Sequence, residues 1–138
     1  MEFPKINSYS VETVIAEKFE TIVKLNYQTS RMKDFYDIIF IAENYNLQRM
    51  DLLNSIEKTF KKRNTSIDNR KIIYEDEYKN DVDKQRQWKG FLNRIKTEKS
   101  DISDNFKTTV NKLESFIEPI FDNSKSDLSW NKEIWGWK

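Results

Sequence analysis

Apolar side chains recur along the first part of the chain at the three- and four-residue spacing of amphipathic helices. Ser10 is a good N-cap, and a first helix is predicted from the next residue to about Tyr27. Its apolar positions are Val11, Val14, Ile15, Phe19, Ile22 and Val23. After a polar break at 26–30, a second helix is predicted over 31–44, and it is apolar nearly all round from Phe35. Together the two predict an antiparallel helical hairpin.

The same spacing predicts three further main helices, over about 47–62, 82–95 and 102–120. Pro119 should kink or end the last of them, and residues 64–76 show no clear pattern. The chain has only 2 glycines and 2 prolines, and it lacks the Asn-Gly or Asp-Gly dipeptides that mark β-hairpins. We therefore predict an all-α protein, an irregular helical bundle of about five main helices.

The composition excludes several classes of site. The chain has no cysteine and no histidine, so it cannot form a Ser-His-Asp or Cys-His catalytic relay or an ordinary zinc site. Any metal would have to be held by carboxylates. The two glycines, Gly90 and Gly136, lie too far apart for a glycine-rich phosphate-binding loop. A length of 138 residues with 37% hydrophobic residues suits a single helical domain over 1–138.

Net charge and hydropathy set the expected location. Lysine and arginine total 24 against 23 aspartates and glutamates, and the net charge of +1 provides no field that draws the whole molecule onto nucleic acid or anionic lipid. The longest apolar run, Ile38 to Ala42, has five residues, against roughly 20 for a membrane-spanning helix. The N-terminus lacks a signal-peptide pattern. We therefore expect a cytoplasmic protein with no membrane partner.

Charged residues interrupt the apolar faces of the first two helices. Lys18 lies three residues after Ile15 in the apolar stripe of the first, and Asp37 interrupts the second. If the hairpin is centred near Gln28, Lys18 lies ten residues before the centre and Asp37 nine after it, which makes them level to within about 2 Å. Asp34 lies one turn nearer the connection, within reach of a lysine across the roughly 8 to 10 Å between packed helices. The spacing predicts a cluster of one lysine and two aspartates.

Two interpretations of this cluster follow from the residues. It is an ion pair that fixes the register of two helices, or a lysine whose charge reaches solvent along its own stem, and such structural roles are the more common case. Alternatively it is a phosphate site, in which the lysine attracts a polyphosphate and the carboxylates hold a divalent cation or accept a proton. The spacing is compatible with both.

Two segments resemble the motifs of a known family. Residues 16–18 read Ala-Glu-Lys, and residues 31–37 read Arg-Met-Lys-Asp-Phe-Tyr-Asp. They resemble the Ala-Glu-Lys helix and the Arg-x-Lys-Asp-x-x-Asp helix of the AbiEii-type abortive-infection toxins, nucleotidyltransferase-like proteins of type IV toxin–antitoxin systems. The resemblance covers about residues 3–121 and is strongest over 9–65. The paired motifs are fairly specific, whereas each motif alone is not.

The resemblance implies an enzyme that transfers a nucleotide from a nucleoside triphosphate, with Mg²⁺, to an acceptor that is tRNA in related toxins. Lys18 would then contact the triphosphate, and Asp34 or Asp37 would assist the acceptor or orient the lysine. Arg31 and Lys33 are the secondary candidates for substrate binding. No residue of this chain is assigned as a metal ligand.

The sequence also departs from the family pattern. The family's earlier motifs, a Gly-Ser turn followed by an Asp-x-Asp metal pair, are missing, since no glycine precedes Gly90. The Asp-Val-Asp sequence at 81–83 has the right letters, but it follows the matched motifs and begins a predicted helix. The chain therefore resembles the C-terminal part of a toxin whose N-terminal catalytic half is missing, separately encoded or lost. We expect it to be inactive or nearly so by itself, with magnesium and triphosphate bound in a complete protein.

The residues also allow a function without catalysis. The alternative is a non-catalytic helical module that binds a protein or RNA, with the Lys/Asp cluster purely structural. An apolar surface left by a missing half would favour a homo-oligomer. Three tryptophans are expected to fold back onto the bundle, with stacking on bases or sealing of an exposed groove as the other interpretations: Trp130, Trp135 and Trp137.

Overall fold

The structure is a computed structural model that describes residues 10–95, 102–124 and 128–138. Helices account for most of these residues, and the predicted all-α class is confirmed. The helices are α1 (Val11–Leu25), α2 (Met32–Asn44), α3 (Arg49–Lys62), α4 (Asp76–Lys79), α5 (Val82–Ile95) and α6 (Phe106–Ile117). Short 3₁₀ segments lie at Asn26–Gln28, Ile67–Tyr74 and Glu118–Phe121. Within the described ranges, no helix is both long enough and apolar enough to cross a bilayer.

Local capping explains several helix boundaries. α1 begins where predicted because the Ser10 hydroxyl accepts a hydrogen bond from the Thr13 backbone N–H at 3.1 Å. It ends two residues before the predicted end because Asn26 adopts a positive φ of 37°, which a helix cannot continue through. α6 begins four residues later than predicted, since the Asn105 side chain caps its first turn by accepting from the Thr108 N–H at 2.9 Å.

The remaining boundaries follow the sequence pattern with two additions. α5 begins and ends at the predicted residues, and α6 gives way to a 3₁₀ turn at Pro119, as expected from the missing N–H of proline. The unassigned stretch 64–76 contains the 3₁₀ segment Ile67–Tyr74 and leads into the single turn of α4. α3 begins two residues later than predicted because Leu47 and Gln48 form a short strand.

The core forms where α1 packs against both α2 and α3, while α2 also contacts α5 and α6. Phe19 of α1 contacts Phe60 of α3 with ring centroids 5.8 Å apart. Phe35 of α2 contacts Phe106 of α6 with centroids 5.3 Å apart. All four rings are buried, and full burial of an aromatic ring stabilises the fold by roughly 1.5 to 3 kcal/mol. This packing holds α1 and α2 as an antiparallel pair and sets the site between them.

A small antiparallel sheet closes one end of the bundle and was not predicted. Its strands are β1 (Leu47–Gln48), β2 (Ser129–Asn131) and β3 (Gly136–Trp137), in the order β1-β2-β3. The absence of Asn-Gly and Asp-Gly dipeptides therefore did not exclude a short hairpin in the last residues. Strands of two and three residues are too short to show a period of two, and the β2–β3 turn uses Trp135 at φ 49° where a glycine or asparagine would be expected.

The C-terminal tryptophans pack on the bundle. Trp130 is 1% exposed, and its indole N–H donates to the Ala42 carbonyl near the end of α2 at 2.8 Å. Trp137 donates to the Phe116 carbonyl of α6 at 2.8 Å, and Trp135 donates to a serine hydroxyl of α6 at 3.2 Å. Since all three indole donors bind protein atoms, the structure agrees with the anchoring interpretation.

Candidate functional site

The hairpin places one lysine of α1 between two aspartates of α2. The Nζ atom of Lys18 lies 3.5 Å from Asp34 Oδ1 and 3.2 Å from Asp37 Oδ2. The two aspartates are three residues apart and so share one helix face, as residues one turn apart do. The proximity that the hairpin spacing predicted is confirmed. The catalytic roles of these residues stay a prediction.

Two further cations reach the same carboxylates from α2 and its start. Arg31 Nε lies 3.2 Å from Asp34 Oδ2, and Lys33 Nζ donates to Asp37 Oδ2 at 2.7 Å. The aspartate side chains are 1% and 0% exposed, whereas those of Lys18, Lys33 and Arg31 are 25%, 51% and 62% exposed. Two buried negative charges therefore lie beneath three positive charges that reach solvent. We call these five residues the Lys18 cluster.

Hydrogen bonding of the two carboxylates is incomplete. Both oxygens of Asp34 and Oδ1 of Asp37 are buried and accept no hydrogen bond of good geometry in the part of the chain that the structure describes. Lys18 and Arg31 lie at ion-pair distance from Asp34, at 3.5 Å and 3.2 Å. Burial raises the pKa of Asp34, the charges of Arg31 and Lys18 oppose the rise, and the charge of Asp37 adds to it. Burying an ionised group with few hydrogen bonds costs folding free energy.

The raised pKa of Asp34 predicts how an Asp34→Asn variant responds to pH. Because the folded pKa lies above the unfolded one, the folded chain binds more protons between the two values. The associated stabilisation is fully present below the unfolded pKa and is lost as the pH rises through the folded pKa. Asparagine does not titrate, so the free energy of unfolding of the variant should rise relative to the native chain from about pH 3 to pH 7. Urea denaturation across that range measures the difference.

The exposed Asp68, whose side chain is 87% exposed, supplies the matched control. Asp68→Asn should alter the free energy of unfolding by less than about 0.5 kcal/mol at every pH, as is usual for surface positions. If Asp34→Asn instead lost stability relative to the native chain as the pH rose, the ionised carboxylate would be a stabilising group. The interpretation of Asp34 as a costly buried charge would then be wrong.

A second ion-pair network lies beside Lys18 on α1. Arg63, just after α3, binds two glutamates, with Nη2 3.2 Å from Glu17 Oε2 and Nη1 2.9 Å from Glu20 Oε1. The Thr65 hydroxyl donates to Glu20, which is 1% exposed. This network ties α1 to the end of α3, while the Lys18 cluster ties it to α2. Lys18 therefore projects from a helix that is anchored on both sides.

The residues present do not fit a magnesium ion of their own. Within the described ranges, no three metal-binding side chains are grouped so that they could hold one. The ammonium of Lys18 already lies against Asp34 and Asp37, where a cation would otherwise be held.

The Asp-Val-Asp sequence at 81–83 lies at the start of α5. Asp81 Oδ2 accepts a hydrogen bond from a backbone N–H of the first turn of α5 at 3.3 Å. The Asp-Val-Asp sequence is thus a helix start, as predicted.

Comparison with protein families identifies the chain over most of its length. Residues 1–117 match the family described as nucleotidyl transferase AbiEii toxin, type IV TA system. The chain belongs to this AbiEii family. The match includes every residue of the Lys18 cluster and agrees with the resemblance carried by the two sequence motifs. No curated protein and no solved structure gives a significant match. Membership makes the chain a nucleotidyltransferase-like toxin and implies an antitoxin partner.

Among the described residues of this AbiEii family member, the sequence reasoning missed the buried charges of Glu20, Arg49 and Lys84. Lys84 of α5 is 2% exposed, and its ammonium contacts the connection between α1 and α2. It lies four residues before Trp88, and so within the apolar stripe of its helix. The same signal, a lysine inside an apolar stripe, identified Lys18 and could have identified Lys84.

Proposed function

We propose that this chain is the helical portion of a nucleotidyltransferase toxin and contributes Lys18, Asp34 and Asp37 to a site for a nucleoside triphosphate and magnesium. Residues outside these 138 complete the site, because the Gly-Ser turn and the Asp-x-Asp metal pair of the family are absent from the sequence. Membership in the AbiEii family supports the class of reaction. The geometry of the Lys18 cluster supports the choice of these three residues as members of the site.

The supporting observation is the layering of charge in the Lys18 cluster. In an ion pair that serves only stability, both partners are expected to satisfy each other within the protein. Here the carboxylates are buried and incompletely hydrogen-bonded, while the cations extend to solvent. The cations are the members of the cluster that reach solvent, and they lie above the two buried anions. That arrangement suits a polyanion such as a triphosphate.

Burial favours distinct roles for the two kinds of side chain. A bound phosphate can reach Lys18, Arg31 and Lys33 because each has exposed surface. Asp34 and Asp37 have almost none, so of their two predicted roles burial favours orienting the cations over assisting the acceptor. Nucleotide transfer joins an acceptor oxygen to the α-phosphorus and breaks the bond to pyrophosphate. The three cations would offset the charge that develops on that leaving group.

The proposed reaction also requires magnesium and an acceptor. Magnesium would be held by the triphosphate and by the absent Asp-x-Asp pair, since the described residues do not fit it. The acceptor proposed is tRNA. We still expect a single helical domain and a cytoplasmic location. A homo-oligomer formed through an uncovered apolar surface also stays a prediction.

A two-part experiment tests the proposed function. Isothermal titration calorimetry with each nucleoside triphosphate and Mg²⁺ should detect binding to the isolated chain. A polypeptide that carries a Gly-Ser turn and an Asp-x-Asp pair, encoded beside this chain, should restore transfer of a labelled nucleotide to tRNA when the two are mixed. Either part by itself should give little or no transfer, because the charge stabilisation would be split between them.

The opposite result favours the alternative function. If neither the chain nor the mixture binds triphosphate, and no transfer occurs, the chain is a non-catalytic helical module and the Lys18 cluster is structural. A mixture of the Asp-x-Asp polypeptide with the Lys18→Met variant is the matched control for the active combination.

A further inference from the structure

Lys84 is a buried cation whose partners are backbone carbonyls. It is 2% exposed, and its Nζ donates to the Tyr27 carbonyl at 2.8 Å and to the Thr29 carbonyl at 2.6 Å. Burial lowers the pKa of Lys84, and the charges of Asp81 and Asp83 oppose the change. A methionine would fill similar space without the cost of burying a charge. The ammonium is therefore best explained by the two carbonyls that it holds.

Both carbonyls belong to the connection between α1 and α2. The connection starts at Asn26, where φ is 37°. The Asn26 carbonyl accepts a hydrogen bond from the Tyr78 hydroxyl at 3.3 Å. Tyr27 also contacts the Tyr78 ring, edge to face, with centroids 5.1 Å apart. The segment that carries α4 and α5 thus binds three carbonyls of the connection between α1 and α2. Without the ammonium, the carbonyls of Tyr27 and Thr29 would lose a shared donor and their fixed separation.

The connection leads directly into the Lys18 cluster. The Thr29 hydroxyl accepts from the Arg31 backbone N–H at 3.0 Å, and Asp34 follows in the first turn of α2. The 3.5 Å distance between Lys18 Nζ and Asp34 joins two helices, so it depends on how α2 leaves the connection. The contact between Lys33 and its aspartate lies within α2 and does not depend on the connection.

We propose that Lys84 is a positioning residue for the Lys18 cluster. Its ammonium holds the carbonyls of Tyr27 and Thr29 and thereby sets the start of α2, and with it the placement of Asp34 against Lys18. The inference extends the proposed function, on which its predicted effect on triphosphate rests. Lys84 itself touches no substrate, because it lies behind the connection and is buried.

Lys84→Met is expected to weaken binding of Mg-ATP to the isolated chain. Displacement of a charged group by about 1 Å is enough to lower the effectiveness of a binding or catalytic arrangement by roughly tenfold to a hundredfold. Calorimetry measures the affinity and thermal denaturation measures the folded fraction, so that binding is expressed per folded molecule. Lys84→Arg should restore most of the affinity, since a guanidinium can also donate to two carbonyls.

Lys79→Met is the matched control. Lys79 of α4 is a mostly buried lysine, 12% exposed, that binds Glu114 Oε1 at 2.9 Å and leaves the connection untouched. The Lys79→Met substitution should lower the stability of the fold without lowering the affinity for Mg-ATP per folded molecule. If Lys84→Met behaved in the same way, Lys84 would be an ordinary structural residue and the proposal would be wrong. Should Lys84→Met not fold, Lys84→Gln, whose shorter side chain cannot reach both carbonyls, is read by the same criteria.

A second measurement separates this inference from the proposed function. The pKa of the Asp34 carboxyl, followed by carbon-13 NMR, should rise in Lys84→Met because Lys18 no longer lies close enough to oppose the effect of burial. It should be unchanged in Lys79→Met. If neither the native chain nor its mixture with the Asp-x-Asp polypeptide binds Mg-ATP, the proposed function fails, and the carboxyl pKa still tests Lys84. An unchanged Asp34 pKa in Lys84→Met would overturn the positioning role.

Discussion

The Lys18→Met variant is expected to bind Mg-nucleoside triphosphates about tenfold to a hundredfold more weakly than the native chain, because one charge-assisted contact to phosphate is lost. The Lys18 side chain is 25% exposed above two buried carboxylates, so its ammonium can reach a ligand without leaving the cluster. Methionine keeps an unbranched apolar side chain and therefore most of the packing on α1. Calorimetry at constant ionic strength measures the change, since exposed charges are screened by salt.

Removal of the same ammonium should also destabilise the fold, but moderately. The two aspartates retain Arg31 and Lys33 as ion-pair partners, so neither buried carboxylate is left without a cation. A loss of about 1 to 3 kcal/mol is expected, which is typical when a buried acceptor loses one partner. The variant should therefore remain folded, and its affinity can be compared directly with that of the native chain.

Lys24→Met serves as the control for this variant, because Lys24 is an exposed lysine of the same helix. It should change neither affinity nor stability appreciably. A Lys18→Met protein that lost stability but bound triphosphate as tightly as the native chain would show that the lysine is a register-fixing ion pair. The alternative function would then be favoured.

Trp130→Ala is expected to lower the free energy of unfolding by about 3 to 5 kcal/mol, the usual cost of deleting a large buried aromatic side chain. The indole is 1% exposed and packs against Phe116 with ring centroids 4.7 Å apart. Its N–H also donates to the Ala42 carbonyl, one of the last four carbonyls of α2, which lack partners within the helix. Urea denaturation of the two proteins measures the loss.

The control for Trp130→Ala is Ile134→Ala, which removes a 52% exposed side chain from the same hairpin. It should cost less than about 1 kcal/mol. The loss of unfolding free energy in Trp130→Phe should lie between the losses in the two alanine variants, because phenylalanine retains part of the apolar surface but not the N–H donor. A loss below about 1 kcal/mol for Trp130→Ala would mean that the C-terminal hairpin contributes little to the core. Since the family match ends at residue 117, this variant tests whether later residues complete the folded unit.

The local pattern of the sequence determined where the helices lie. It also determined the position along the α1–α2 hairpin at which Lys18 meets the aspartates. Apolar spacing depends on neighbours three and four residues away, so α5 appears at the predicted residues and α1 starts at its predicted cap. Because the rise per residue in a helix is constant, equal distances from a hairpin connection place side chains side by side. That regularity predicts the proximity of Lys18 and Asp37, which the structure confirms.

Only the tertiary structure decided which charges are buried and what holds them. The exposure of Lys33 and the burial of Asp37, four residues later on the same helix, follow from where α1 covers α2. Arg63 reaches Glu20 across 43 positions of the chain, and Lys84 reaches Tyr27 across 57. No local period encodes such pairs, because they depend on how distant helices pack, and the short sheet around Trp130 arises in the same way.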